Sequence, residues 1–98
     1  MTTPTAESER DRLEQALARL EMKRRALDED LGEFLHEGRR TRDALERASG
    51  YSRPLEARAR GLAKNVAQTR KDLEQTDREI EALRQSLGRL AQPGDEAS

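Results

Sequence analysis

Apolar residues recur at spacings of three and four along nearly the whole chain. In the first half the series runs Leu13, Leu17, Leu20, Arg24, Leu27, Leu31, Phe34, Gly38, Thr41, Leu45 and Ala48. In the second it runs Leu55, Ala59, Leu62, Val66, Thr69, Leu73, Thr76, Ile80, Leu83, Leu87 and Leu90. An alternation of three and four averages 3.5 residues, the repeat that keeps one stripe of a helix turned toward a partner helix. The second series keeps phase over five heptads, while the first has two departures from an apolar seam, Arg24 and Gly38. Both halves predict long helices with a narrow apolar seam.

The two series meet at Ala48-Ser49-Gly50-Tyr51-Ser52-Arg53-Pro54. Gly50 can take the left-handed backbone conformation that ends a helix, and Pro54, which has no N–H to donate, suits the first turn of the next. Helices over about 7–49 and 54–91, with a turn at 49–53, follow. Ser8 or Thr5 is placed to cap the first, whose opening turn holds Glu7, Glu9 and Asp11 near the positive end of the helix dipole. The second should end near Ala91, before Gln92-Pro93-Gly94. Residues 1–6 and 92–98 read as disordered tails. The fold class is all-α, an antiparallel two-helix coiled-coil hairpin. An alternative is one long helix in a parallel dimeric coiled coil, because the heptad phase runs on from Leu45 and Ala48 through Ser52 to Leu55. Against it, proline inside a helix costs roughly 3 kcal/mol and glycine about 1 kcal/mol relative to alanine.

A tight turn restricts the register of such a hairpin. The favoured pairing sets Leu45 opposite Leu55, Thr41 opposite Ala59, Gly38 opposite Leu62, Phe34 opposite Val66, Arg24 opposite Thr76, Leu20 opposite Ile80 and Leu13 opposite Leu87. Gly38 would then make room for Leu62, and the stem of Arg24 would lie along the seam with its charge reaching out to water. At the flanks this register brings Glu14 to Arg84, Lys23 to Glu79, Asp28 to Arg70 and Arg42 to Glu56. It also juxtaposes Glu21 with Asp77 and Asp30 with Asp72, and sets Leu35 beside Ala63. A shift of one heptad multiplies the like-charge pairs.

Composition narrows the class. Charged residues make up 40% of the 98, hydrophobic residues 33% and aromatic residues 2%, too little apolar material for a compact layered core. A net charge of only -1 and regular leucine spacing argue for helices over disorder. Cysteine is absent, which excludes disulfides and thiolate metal sites. No apolar run approaches the roughly 20 residues of a membrane-spanning helix. The start of the chain lacks a secretory signal pattern, and a cytoplasmic location without membrane insertion is expected. In a two-stranded coil the seam residues are only partly buried while ordering the backbone costs on the order of 1 to 2 kcal/mol per residue, so self-association into a homo-oligomer or docking to a partner is expected.

Catalysis needs polar groups converging in a pocket, and a two-helix coil offers none, so no enzyme, catalytic residue or cofactor is expected. Glu33 and His36 have the Glu-x-x-His spacing of carboxylate-bridged metal sites in helical bundles, but the inward positions belong to Leu31 and Phe34, and no metal site is expected. Charge distribution says more. From Gly38 to Lys71 there are ten bases against three acids, a concentration of positive charge that the near-neutral total conceals. Of the bases, 16 in the whole chain are arginine and 3 lysine. The candidate contact surface is Arg39, Arg40, Arg42, Arg47, Tyr51, Arg53, Arg58 and Arg60, clustered about the turn. The reading this favours is a non-enzymatic coiled-coil adaptor or scaffold component that binds a protein partner with an acidic surface through a basic hairpin tip. A nonspecific nucleic-acid-binding protein using the same arginines is the alternative; the bases are not interleaved with the several aromatics that single-strand binders use.

Overall fold

The structure is a computed structural model that describes residues 6–48, 50 and 52–90. It consists of two helices, α1 (Ala6–Arg47) and α2 (Arg53–Leu90), joined by a short turn into an all-α helical hairpin. Among the described residues there is no strand. The single long helix of a parallel dimer is thereby overturned: the backbone breaks between Arg47 and Arg53, and Gly50 takes a φ of 120°, which side chains other than hydrogen tolerate poorly.

The termination of α1 is built from backbone bonds. The Ala48 N–H is shared between the carbonyls of Ala44 and Leu45 at 3.0 and 3.3 Å, the bifurcation common in a last helical turn. The Gly50 N–H then donates to the Ala48 carbonyl at 2.9 Å, and Gly50 itself carries the positive φ with which the chain leaves the helix. On the other side the Ser52 carbonyl accepts from Glu56 N–H at 3.0 Å, which makes Ser52 the capping residue of α2 and leaves Pro54 in the first turn, where its missing N–H breaks no bond. Both helices therefore bracket the turn slightly earlier than the expected 49–53. At the other end α1 begins at Ala6, one residue before the expected start, and Ser8 lies inside the helix instead of capping it. Thr5, residues 1–5 and 91–98, and with them the rest of the expected tails, lie outside the described residues.

The helices pack in two compact units, one from α1 up to Arg24 with α2 from Gln75 onward, the other from Arg25 to Glu74 including the turn. In both, every position of the seam read from the sequence is buried or half-buried. The depth along it is uneven. Among the described residues the most enclosed are Thr41 at 4% exposure, Thr69 at 7%, Thr76 at 0% and Ile80 at 5%, whereas the leucines of the same seam stay half-buried. Length alone does not set this depth, since Ile80 is as enclosed as the threonines while the shorter Ala59 and the equally branched Val66 are half-buried. No buried side-chain nitrogen or oxygen among the described residues lacks a hydrogen-bond partner, so the enclosed hydroxyls are satisfied.

Arg24 is half-buried at its seam position and its head finds a partner. Its Nε lies 2.5 Å from Asp77 Oδ1, beside the enclosed Thr76. The register places Asp77 next to Glu21, and Arg24 supplies the cation that this pair of acids lacks. Gly38 departs from expectation: a Cβ built there meets nothing within 4 Å, so the room that glycine leaves is not taken up by Leu62.

Candidate functional site

The unit that contains the turn carries the basic concentration, and the geometry of a two-helix coil divides it into two sides. One side holds the heptad positions just after the inward d residues, the other those just before the inward a residues. The candidate arginines fall on both, and the two sides differ in chemistry.

On the first side a groove of about 660 Å³ runs between the helices. Its floor includes Phe34, Leu35 and Gly38 from α1 and Leu62, Ala63 and Val66 from α2, and its rim carries Arg39, Arg42 and Arg70. All three arginines are exposed, and none makes a side-chain hydrogen bond or ion pair among the described residues. The expected pairs of Arg42 with Glu56 and of Asp28 with Arg70 therefore do not form. No acidic residue lines this groove.

The opposite side is discharged internally. Glu37, with Arg40, Ala44, Arg47 and Arg58, lines a second, shallower groove. One arginine from each helix converges on this carboxylate: Arg58 Nη2 lies 2.5 Å from its Oε2, and Arg40 Nη1 lies 3.6 Å from its Oε1. The hydrogen bond from Arg58, reinforced by the charges of Arg40, Arg58 and the nearby His36, holds the Glu37 carboxyl below the usual glutamate range against a smaller opposing effect of partial desolvation. Extending the expected register would set Arg58 opposite Ala44, which offers no acceptor; the next position along the same flank is Glu37. Arg47 turns back on its own helix, donating from Nε to the Asp43 carbonyl at 3.3 Å, where a cation also opposes the negative end of the α1 dipole.

Arg53 and Arg60 are exposed, line neither groove, and make no side-chain bond among the described residues. Tyr51, expected to anchor a contact at the turn, lies outside the described residues. The eight candidates thus do not form one patch. Arg39 and Arg42 share the open groove, Arg40, Arg47 and Arg58 are held by Glu37 and the α1 backbone, and Arg53 and Arg60 stand apart. Arg70 belongs with the first pair although it is far along α2 in sequence. The signal that could have found it is its heptad position, which it shares with Leu35, Arg42 and Ala63.

Glu33 and His36 both face solvent, and no group of three metal-ligating side chains occurs among the described residues. No helix is long and apolar enough to cross a membrane. No protein-family model matches the chain, and no match was found among curated proteins or solved structures.

Proposed function

We propose that this chain is a non-enzymatic helical-hairpin adaptor or scaffold component that binds an acidic protein surface through the basic region about its turn. The observation that carries the reading is the rim of Arg39, Arg42 and Arg70: three exposed guanidiniums without an internal partner, set beside apolar groove floor. Unpaired arginines next to apolar surface are the composition of protein-binding sites, where a planar guanidinium can bind a carboxylate in bidentate fashion and stack on apolar groups. A nucleic-acid backbone asks for a continuous cationic track, and here Glu37 interrupts it on the opposite side.

The test is a pull-down from the native source with the intact chain and with an Arg39→Glu/Arg42→Glu/Arg70→Glu variant, each checked for helicity. Partners retained by the first and lost by the second support the reading; equal recovery overturns it. Parallel titration with DNA and RNA oligonucleotides across salt addresses the phosphate alternative. Tight binding that weakens steeply with salt, with the same arginines required, would replace the protein-partner reading.

A further inference from the structure

Resting on the reading of this surface as a protein-binding site, we infer that its occupant is an acidic amphipathic α-helix, which lies in the groove as a third strand against the two helices of the hairpin. The groove has the two features a docked helix requires, an apolar floor and a rim of one sign of charge. The floor, from Phe34 and Leu35 to Leu62 and Val66, would take leucines or similar residues spaced three and four apart. Arg39 and Arg42 on α1 and Arg70 on α2 would meet acids on the flanks of that helix, one helix on each side of the floor.

The floor is also deeper than intramolecular packing demands. Gly38 sits in it with nothing within 4 Å of the position a Cβ would occupy, and Ala63 and Ala67 along α2 are exposed. Small side chains at the floor allow a third backbone to approach closely. A second copy of this chain fits poorly. Two grooves facing each other would oppose Arg39, Arg42 and Arg70 to their own equivalents. Nor do the outer faces supply an apolar row to insert, since the exposed large hydrophobic residue among those described is Met22, at 68%.

The test uses the full chain and a synthetic helix of about 20 residues, long enough for appreciable helicity, with leucines at three-four spacing and glutamates on both flanks. Two controls share its length: one with lysine flanks, one with the leucines replaced by glutamine. Amide shift perturbations are followed in the labelled chain. The expected result is saturable binding of the first peptide alone, with perturbations at Leu35, Gly38, Ala63 and Ala67 and little change at Arg40, Arg47 and Glu37. Gly38→Leu, which fills the floor, and Ala67→Glu, which adds a like charge at an exposed position, should each weaken binding at least about tenfold. Absence of binding at about 1 mM peptide, equal binding of the leucine-free control, perturbations centred on Arg40 and Arg47, or concentration-dependent self-association that occludes the groove would each overturn the inference. In the pull-down, partners lost on reversing the arginines but retained by Gly38→Leu would sink the helix-docking inference while leaving the proposed function standing.

Discussion

Arg58 of α2 hydrogen-bonds to Glu37 of α1, one heptad before Ala44, which lines the same groove. The bond joins α1 to α2 and lowers the pKa of the Glu37 carboxyl. Lowering in the folded state means the folded protein binds that proton less readily than the unfolded chain. The contribution to stability is thus fully present above the ordinary glutamate pKa and is lost as pH falls through the lowered folded value. Thermal unfolding of the intact chain and of Glu37→Gln should differ at neutral pH, with the variant slightly less stable, and the difference should shrink to nothing on acidification. Because the groups are partly exposed, added salt should reduce it as well.

A second cross-helix pair, Arg24 with Asp77, is half-exposed, at 42% and 50% for the two side chains. A double-mutant cycle with Arg24→Ala and Asp77→Ala, read by chemical denaturation, should give a coupling of about 0.2 to 1 kcal/mol. The single Arg24→Ala change should cost more than this coupling, since it also removes the stem of a half-buried seam residue.

Thr76 is fully enclosed, and on that account the most leucine-like change to the seam should harm it. Thr76→Leu is expected to destabilise by about 1 to 3 kcal/mol through overpacking, despite its greater hydrophobicity and its agreement with the heptad pattern. Ile80→Ala, at the buried apolar position of the same seam, should cost about 2 to 5 kcal/mol. Equilibrium unfolding of both variants checks the depth profile of the seam; a stabilising Thr76→Leu would contradict it.

Gly32 and Gly61 lie within helices with no atom near the position of an added Cβ. Gly32→Ala and Gly61→Ala should therefore each stabilise by roughly 0.5 to 1 kcal/mol, which in a domain of this size raises Tm by several degrees. Gly50→Ala should do the reverse although it too meets no neighbour, because the φ of 120° at that position is strained for any residue with a Cβ. Scanning calorimetry on the three variants separates conformational freedom from steric room.

The helices and their seam are legible in the sequence because a repeat of 3.5 fixes which residues face inward whatever their chemistry; Arg24, Gly38, Thr41 and Thr76 all lie where the count puts them. Depth within the seam is not legible from hydrophobicity: Thr41, Thr69 and Thr76 are enclosed with Ile80, while the leucines of the same seam are half-buried. The same applies to the charges. Register alone pairs Arg42 with Glu56 and would set Arg58 opposite Ala44, but the long side chain of Arg58 settles on Glu37, a heptad away. Proximity to the turn in sequence mixes the two sides of the coil and omits Arg70. Sorting the same residues by heptad position separates the open groove from the neutralised flank.

Arg24 also bears on which assemblies the chain rejects. In a parallel, in-register dimer every seam residue meets its own copy, so two guanidiniums would confront each other inside the interface. In the hairpin the same residue is neutralised by Asp77 of the other helix. One charged residue in an otherwise apolar stripe thus acts as a topology selector, tolerated when the chain folds back on itself and penalised when it pairs with a twin. A chain carrying leucine there would lose that discrimination, and the unbroken heptad phase through the turn would be free to express itself as intermolecular association.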